Sequence, residues 1–279
     1  MKYCLSALPE IDIMLRSAKR ILIATDFDGT LCPIADAPSE VHVSPATLEI
    51  LRYALLCQRL SLAVISGRAL ADVRVRLPLD ITFAGNHGLE IAGRQLNFEH
   101  AGARQLGPSL AAAREALTNA MHQWPAAWLE DKGLSATLHF RKVDRRHHNS
   151  LLFAARRCLG TFGPQLALRV GKCALEVRPR VPWNKGTALQ YILEKTGPFD
   201  GCVCIGDDRT DETMFRANRG QVNIRIACTR RTDATHYLAN AGEVAILLSH
   251  IVDVCNSEAL PLWSGQASSV SAYGGDLKF

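Results

Sequence analysis

Short apolar runs separated by amphipathic stretches dominate the pattern of this chain. The runs do not alternate between apolar and polar positions, which is typical of strands covered on both faces. They lie at residues 21–28, 60–68, 81–88 and 201–208. Between them, Ser44-Pro45 opens a helical stretch, because Ser is a favoured N-cap and Pro suits the first helical position. A second helix is predicted at 184–197, so the chain as a whole predicts an α/β fold.

The middle of the chain has a different pattern, with strands that alternate between polar and apolar residues. Such strands suit a sheet with one covered face. The predicted elements are a helix over 104–123, a strand over 128–141 bent at Gly133, a helix over 149–160, and a hairpin over 166–180 turning at Gly171-Lys172. Together they indicate a smaller α+β module within the α/β pattern.

This organisation predicts a split core with an insertion. The core spans residues 1–103 and 182–263, and the inserted module spans 104–181. Segments rich in Gly or Pro at 102–108 and 179–182 are the expected hinges. Residues 264–279 are small and polar, and they are expected to form a flexible tail.

Composition and charge exclude several classes of protein. The chain of 279 residues has 48% hydrophobic and 21% charged residues, which is unlike a disordered or fibrous protein. No apolar run approaches the ~18 residues of a membrane helix. The net charge of +5 can attract phosphorylated metabolites, but an ordinary mixed surface is the favoured interpretation. The basic stretch 139–148 lacks the interleaved aromatic residues of a nucleic-acid platform, and its residues 142–148 have no assigned role.

Cysteine usage and the first residues bear on location. Nine cysteines with no CxxC pair fit a reducing compartment rather than a disulfide framework or a zinc site. The N-terminal stretch has no adequate apolar segment for secretion. We therefore expect a cytoplasmic protein. We also expect that it binds neither nucleic acid nor membrane. The sequence does not determine the oligomeric state, for which a monomer is the favoured expectation.

Three predicted strands end in reactive side chains. These are Asp26 and Asp28, then Ser66-Gly67-Arg68, and then Asp207-Asp208 with Asp211 one turn later. Ligands of open α/β sheets bind beyond the carboxyl ends of the strands, so these groups are expected to share one crevice. Carboxylates this dense repel one another unless a cation lies among them. Hard oxygen ligands without Cys or His indicate Mg²⁺.

Four motifs in order along the chain carry a resemblance to a known family. They are DFDGTL at 26–31, SGR at 66–68, NKG at 184–186 and GDDRTDE at 206–212, and they resemble those of the haloacid dehalogenase-like phosphatases. GNHGLE at 85–90, EDKGLSATLHFR at 130–141 and EVRPRVPWNKGTAL at 176–189 narrow the resemblance to trehalose 6-phosphate phosphatases. The resemblance covers roughly residues 20–250. It implies a Rossmann-like haloacid dehalogenase core with an inserted α+β cap domain.

The resemblance implies catalytic roles within the core. The expected activity is Mg²⁺-dependent hydrolysis of trehalose 6-phosphate through an aspartyl phosphate, with Asp26 as nucleophile and Asp28 as general acid and base. Ser66 is expected to hydrogen-bond a phosphate oxygen. Lys185 is expected to offset negative charge beside a helix N-terminus.

The resemblance also implies a set of metal ligands. Mg²⁺ is expected on the Asp26 carboxylate, the Asp28 backbone carbonyl and Asp207. Either Asp208 or Asp211 is expected to support these ligands without binding the ion directly, and Asp211 is favoured.

Substrate selection is expected to come from the cap. The resemblance assigns Glu130, Lys132 and Glu176 to glucose hydroxyls, and Arg141 more weakly. Further substrate contacts are expected from the core at Ser66, Gly67, Arg68, His87 and Gly88. Asn184 stands where many relatives carry Asp, and it is expected to cap the following helix.

Three other functions stay open. The chain could be a related phosphatase acting on sucrose 6-phosphate or a mannosyl phosphate, although EDKG and WNKG argue against that. It could be a noncatalytic sugar-phosphate sensor, against which the complete set of catalytic residues argues. A phosphomutase would also use an aspartyl phosphate, but it would release no phosphate. The family implies a functional link to a trehalose 6-phosphate synthase.

Overall fold

The computed structural model describes residues 1–35, 40–171 and 173–257, and these residues form two β-sheets. The larger sheet has nine strands among the described residues, in the spatial order β1-β13-β12-β11-β2-β3-β4-β5-β6. Their bounds are β1 Lys2–Tyr3, β2 Ile21–Thr25, β3 Leu60–Ile65, β4 Thr82–Gly85, β5 Glu90–Gly93, β6 Leu96–Glu99, β11 Gly201–Gly206, β12 Val222–Ile226 and β13 His236–Leu238. Neighbours from β1 to β4 are parallel, and β5 and β6 are antiparallel.

Helices cover both faces of the larger sheet. The helices are α1 Leu8–Ser17, α2 Pro45–Leu56, α3 Leu70–Arg76, α4 Ala101–Gln105, α5 Gly107–Ala120, α6 His148–Leu159, α7 Lys185–Thr196, α8 Glu212–Ala217 and α9 Gly242–Ser257. Helices α1, α2, α3 and α9 share one hydrophobic cluster with Ile21 and Ile23 of β2. Helices α7 and α8 share the other cluster with Leu22 and Ala24. All five residues of β2 are buried, as its unbroken apolar run predicts.

A four-stranded antiparallel sheet forms the centre of the cap. Its order is β7-β8-β10-β9, with bounds β7 Trp128–Asp131, β8 Ala136–His139, β9 Leu166–Gly171 and β10 Ala174–Pro179. Apolar residues of one face, including Leu138 and Leu175, pack with Leu110 and Leu117 of α5 and Leu151 of α6. The other face is left for the crevice between cap and core. The predicted α/β core with an α+β cap is confirmed.

Two predicted elements of the cap were wrong in detail. The strand predicted over 128–141 is two antiparallel strands, because the chain reverses through Gly133 at a φ of +76° that glycine tolerates. The helix predicted over 104–123 is the pair α4 and α5. Pro108 lacks the N–H that an uninterrupted helix needs, and α5 accommodates it in its first turn.

Several expectations concern residues outside the described ranges. The predicted tail 264–279 and the last residues of the predicted core lie there, as does Lys172 of the predicted turn. Within the ranges that are described, no helix combines the length and apolar character needed to span a bilayer.

Candidate active site

The ends of parallel strands bring the predicted core residues to one edge of the sheet. Asp26 follows β2, Ser66 follows β3, and Asp207 follows β11, which is the neighbour of β2. Since parallel strands present their carboxyl ends at the same edge, these groups meet there. Lys185, the first residue of α7, joins them. We call Asp26, Asp28, Ser66, Lys185, Asp207 and Asp211 the crevice floor.

Lys185 is the buried centre of the crevice floor. Its Nζ lies 2.8 Å from Asp26 Oδ1 and 2.7 Å from Asp211 Oδ1, and its side chain is 2% exposed. Burial opposes its charge, but Asp211 and Asp26 outweigh burial and raise the pKa of Lys185. Asn184 positions it: the Asn184 side chain accepts hydrogen bonds from the N–H groups of Gly186 and Thr187, as predicted for an N-cap.

Three carboxylates cluster around this ammonium group. Asp26, Asp207 and Asp211 each offer an oxygen within 4.8 Å of the others. Burial first, and then repulsion from Asp211, raises the pKa of Asp207 to about 7. Burial also raises the pKa of Asp26 well above its usual range, although Lys185 opposes the shift. All-oxygen ligands whose negative charges raise one another's pKa suit a hard divalent cation such as Mg²⁺.

The oxygens of the cluster are not equally available to a cation. Asp211 Oδ1 accepts from Lys185, and its Oδ2 accepts from the backbone N–H of Asp208 at 2.8 Å. Asp208 turns away and pairs with Arg169 at 2.8 Å. Asp211 is therefore in the cluster and Asp208 is not. The two donors to Asp211 leave Asp26 and Asp207 as the more open ligands.

Two glycines allow the acidic chains to come this close. Gly29 has a φ of +75°, and a Cβ there would lie 2.2 Å from Asp207 Oδ2. A Cβ on Gly206 would lie 2.4 Å from the Asp211 carboxyl carbon. Both glycines are thus required by close approach of Asp207 and Asp211.

Asp28 is held by an arginine. Arg68 Nε and Nη2 each donate to Asp28 at 2.7 Å, and Arg68 Nη1 donates to Asp72 at 2.7 Å. The bidentate pair fixes both side chains. The prediction that Arg68 contacts substrate remains a prediction; in this structure its guanidinium orients Asp28.

Arg225 supports the loop after β11 from the opposite side. Its guanidinium donates to the backbone carbonyls of Asp207 and Asp208 and to Glu212 Oε1 at 2.7 Å. Glu212 also accepts from Thr232 and from the N–H of Asp233. The loop that carries Asp207 is therefore anchored by a charged network that the motifs did not reveal.

The other core residues form the side of the crevice below the cap. Ser66 is buried, and its Oγ accepts from the N–H of Arg68 at 3.1 Å. A Cβ on Gly67 would press on the His87 ring at 2.8 Å. His87 has a φ of +58°, and its buried Nδ1 has no hydrogen-bond partner among the described residues. Gly88 lies behind this surface, where its carbonyl accepts from the Trp183 indole at 2.7 Å.

The predicted cap residues face the crevice floor across a cavity of about 1570 Å³. Drug-sized ligands occupy pockets of roughly 300–1,000 Å³, so the crevice can admit a disaccharide. We call its cap side the cap wall, lined by Trp128, Glu130, Lys132, Thr137, His139, Arg141, Arg169, Gly171, Ala174 and Glu176.

Two carboxylates of the cap wall are ionised by their neighbours. Burial alone would raise the pKa of Glu176, but His87, 2.6 Å away, brings it down to about 2. Burial also opposes ionisation of Glu130, yet the hydrogen bond from His139 at 2.8 Å lowers the pKa of Glu130. Lys132 Nζ lies 3.7 Å from Glu130 and donates to the Gly67 carbonyl at 3.3 Å.

Asn86 and Ser135 form a contact between core and cap that sequence reasoning missed. The fully buried Asn86 donates to the Lys132 carbonyl at 2.8 Å and to Glu90, and it accepts from Ser135 Oγ at 2.5 Å. Both residues stand inside the motifs GNHGLE and EDKGLS. That position was the available signal, although neither residue belongs to the four motifs of the core.

Comparisons with solved structures agree with this architecture. The C-terminal domain of trehalose-6-phosphate phosphatase from C. albicans superposes with a TM-score of 0.75 at 20% identity, over 88% of this chain and 96% of that one. A haloacid dehalogenase-like hydrolase from Bacteroides thetaiotaomicron superposes with a TM-score of 0.61 at 16% identity, over 84% of this chain and all of that one. These similarities show the haloacid dehalogenase-like fold.

Sequence comparisons identify the family. Probable trehalose-phosphate phosphatase 4 from Oryza sativa is 35% identical over 214 residues, covering 73% of this chain and 57% of the relative. The chain thus spans little more than half the length of that relative. The trehalose-phosphatase family model matches residues 24–241, which include both the crevice floor and the cap wall. The chain belongs to the trehalose-phosphatase family.

Proposed function

We propose that the protein hydrolyses trehalose 6-phosphate to trehalose and phosphate. The observation that carries the proposal is the buried Lys185, which holds Asp26 beside Asp211 opposite a cap wall with two ionised glutamates. The floor offers a nucleophile and charge for a phosphate group. The wall offers hydrogen-bond acceptors for sugar hydroxyls.

The residues of the floor fit a resident Mg²⁺. Asp26 and Asp207 would hold it through their carboxylates, and the Asp28 carbonyl is the third protein ligand that the family implies. When bound, the ion supplies positive charge that lets an anionic phosphate approach an anionic carboxylate. Asp211 would act through Lys185 and the backbone of Asp208, because both of its oxygens already accept hydrogen bonds.

The first chemical step forms a bond between Asp26 and phosphorus. A carboxylate oxygen of Asp26 attacks the phosphate, the bond between phosphorus and the sugar 6-oxygen breaks, and the Asp28 carboxyl gives its proton to that oxygen. Trehalose leaves, and an aspartyl phosphate remains. In this structure Asp28 accepts two hydrogen bonds from Arg68. Before this transfer Asp28 must leave that ion pair, take a proton from solvent and turn towards the sugar, so Arg68 sets its resting position.

The second step releases phosphate. Water attacks the phosphorus, the bond to the Asp26 oxygen breaks, and Asp28 takes the proton that water loses. Lys185 keeps Asp26 oriented throughout, and Ser66 Oγ is available to a phosphate oxygen. Asp26 and Asp28 end in the protonation states in which they began.

We propose that residues 104–181 act as a cap that selects the substrate, with hinges at 102–108 and 179–182. Glu130, Lys132 and Glu176 would bind hydroxyls of the sugar, and Arg141 lies on the rim of the same cavity. Contacts such as Arg169 with Asp208 and His87 with Glu176 hold the cap against the core. Opening would admit substrate, and closure would exclude bulk water.

The proposal is tested by measuring phosphate release from trehalose 6-phosphate with and without Mg²⁺. Glucose 6-phosphate, sucrose 6-phosphate and mannosyl 3-phosphoglycerate run in parallel, with Asp26→Asn as the blank. We expect Mg²⁺-dependent release that is fastest from trehalose 6-phosphate. Faster release from another sugar phosphate would leave the proposed mechanism of the floor intact but contradict trehalose 6-phosphate as the substrate. No release from any of them would favour a sensor or a mutase.

A further inference from the structure

Arg225 lies behind the loop that carries the expected metal ligand Asp207. It belongs to β12, where it pairs in register with Gly206, the last residue of β11, so it stands beside the start of that loop. Its side chain is only 14% exposed. Arg225 is not among the described residues that line the crevice between cap and core. Any effect of this arginine on the site must therefore pass through the loop.

The peptide unit between Asp207 and Asp208 is held from both sides. Its carbonyl, that of Asp207, accepts from Arg225 Nη2 at 2.7 Å, and its N–H, that of Asp208, donates to Asp211 Oδ2 at 2.8 Å. Arg225 Nη1 also donates to the next carbonyl, that of Asp208, at 3.1 Å. A peptide unit is planar, so hydrogen bonds on its two edges fix its orientation. This orientation sets the backbone of Asp207, and with it the direction of the Asp207 carboxylate.

Glu212 holds the guanidinium of Arg225 in this position. Its Oε1 accepts from Arg225 Nη1 at 2.7 Å, and the two side chains are 13% and 14% exposed. The same carboxylate accepts from Thr232 Oγ1 and from the N–H of Asp233, both at 2.7 Å. Charge-assisted hydrogen bonds of this kind are short and directional. The arginine is therefore a fixed support for the loop rather than a mobile surface cation.

Asp207 has little space in which to compensate for a tilt of its peptide. A Cβ on Gly29 would lie 2.2 Å from Asp207 Oδ2, so the carboxylate packs closely against the backbone of Gly29. Its partner in the expected metal site, Asp26, is fixed by Lys185. Mg²⁺ requires nearly octahedral oxygen ligands at about 2.0–2.1 Å, and it tolerates displacement of a ligand poorly. A small change in the direction of Asp207 should therefore reduce the affinity for the ion.

We propose that Arg225 is a positioning residue for Mg²⁺, which sets the affinity for the ion by fixing the peptide that follows Asp207. This inference rests on the magnesium site of the proposed function and adds to it a residue outside the motifs. Arg225 would touch neither the ion nor the substrate. Its contribution passes through the backbone of Asp207 and is independent of the cap.

The positive charge of Arg225 and its hydrogen bonds should affect Mg²⁺ in opposite directions. A positive charge near the site repels a cation, so on charge alone the loss of Arg225 would strengthen binding. Loss of the hydrogen bonds to the loop would weaken binding, because partners that orient metal ligands typically contribute about 10–100-fold to metal affinity. The direction of the change therefore distinguishes positioning from charge.

Calorimetric titration of the full chain with Mg²⁺ tests the proposal without substrate. Arg225→Met should raise the Kd for Mg²⁺ about tenfold. Arg225→Lys should recover part of that loss, because an ammonium group keeps the charge but cannot donate in a fork to both carbonyls and Glu212. At saturating Mg²⁺, kcat for trehalose 6-phosphate should return to within about threefold of the wild-type value, and KM should be unchanged.

Arg216→Met is the matched control. Arg216 lies on α8 and pairs at 3.1 Å with Asp233 of the same region, but it is 51% exposed. Its removal should leave the Kd for Mg²⁺ unchanged. An unchanged or lower Kd in Arg225→Met would overturn the proposal, even if urea unfolding showed a loss of stability. An equal rise in Arg216→Met would also overturn it.

Two further outcomes keep the test decisive. If Arg225→Met does not fold, Arg225→Lys replaces it, and a Kd equal to that of wild type would overturn the proposal. Wild-type protein that binds no Mg²⁺ would overturn both the positioning role and the magnesium site. Wild-type protein that binds Mg²⁺ but releases no phosphate from trehalose 6-phosphate would contradict the proposed function alone.

Discussion

The crevice floor and the cap wall differ in how they hold their charges. In the floor, Lys185, Asp26 and Asp211 are nearly inaccessible to solvent, and each is fixed by several partners at the ends of buried strands. In the wall, Glu130 and Lys132 lie on one face of a sheet and remain in contact with the crevice. A fully buried charge that loses its partner costs several kcal/mol, whereas the partly exposed charges of the wall keep some contact with water. The difference is consistent with the proposed division, in which the floor performs the chemistry and the wall selects the substrate.

The largest expected effect is on turnover, and it comes from the floor. Asp26→Asn should lower the rate of phosphate release by about 10⁴ or more, because an amide cannot replace the carboxylate nucleophile. Trehalose 6-phosphate should still bind. Asp80→Asn is the control, because Asp80 is an exposed carboxylate paired with the exposed Arg94, and it should have wild-type rates. Turnover of Asp26→Asn within tenfold of wild type would contradict the covalent mechanism.

The second effect is on stability. Lys185→Met should lower the free energy of unfolding by about 3–5 kcal/mol, because it leaves two buried carboxylates without their cation. Lys195→Met, near the other end of α7, removes an exposed lysine and should change the free energy of unfolding by less than about 0.5 kcal/mol. Urea unfolding in metal-free buffer measures both values. Equal losses would show that Lys185 is not the electrostatic centre of the floor.

The third effect is on metal binding and depends on pH. With a pKa of about 7, above the ordinary 3.8, Asp207 is protonated in mildly acidic metal-free protein. A cation needs the ionised form, so affinity for Mg²⁺ should rise as pH rises towards 7 and level off above it. From pH 7.5 to 5.5 the affinity should fall about twentyfold. Direct calorimetric titration of the protein with Mg²⁺ checks this, and a pH-independent affinity would contradict it.

The raised pKa of Asp207 also affects the stability of the fold, in the direction opposite to its effect on Mg²⁺ affinity. Without metal, Asp207 ionises less readily in the folded than in the unfolded chain, so its contribution to stability falls as pH rises from about 4 to about 7. Mg²⁺ should therefore raise the melting temperature more at pH 7.5 than at pH 5.5. An equal increase at both pH values would mean that Asp207 does not meet the ion.

The smallest effects separate two contacts between the cap and the core. His87 and Glu176 are both largely buried, and their coupling in a double-mutant cycle should be about 1.5–3 kcal/mol. Arg169 and Asp208 are 32% and 51% exposed, so their coupling should stay below about 1 kcal/mol and weaken with salt. Unfolding free energies of the single and double variants provide both numbers. A stronger coupling between Arg169 and Asp208 than between His87 and Glu176 would contradict the conclusion that burial strengthens these contacts.

Much of the floor was predictable because its signals are local. An unbroken apolar run followed by Asp26 and Asp28 predicts a buried strand ending in carboxylates, and the structure has it. Ser44-Pro45 and Asn184 likewise predicted helix starts that are present. These signals depend on backbone conformation within a few residues, which sequence patterns describe well.

The rest depends on contacts between distant segments. Arg225 anchors the loop at 207–208, and Asn86 bonds to Ser135, through pairings that no spacing in the sequence records. The hairpin at Gly133 and the helix break before Pro108 did have local signals. The strand pattern continues on both sides of Gly133 and the helix pattern on both sides of Pro108, so the sequence predicted a single strand and a single helix.

The most direct test of the division between floor and wall is the ratio of kcat/KM for trehalose 6-phosphate to that for glucose 6-phosphate. It should be measured in wild-type protein and in the double variant Glu130→Ala with Glu176→Ala. We predict that the ratio falls at least tenfold because the wall has lost its hydroxyl acceptors, while Mg²⁺-dependent release from glucose 6-phosphate persists. An unchanged ratio, or the loss of both activities together, would contradict a wall that selects the substrate and a floor that performs the chemistry.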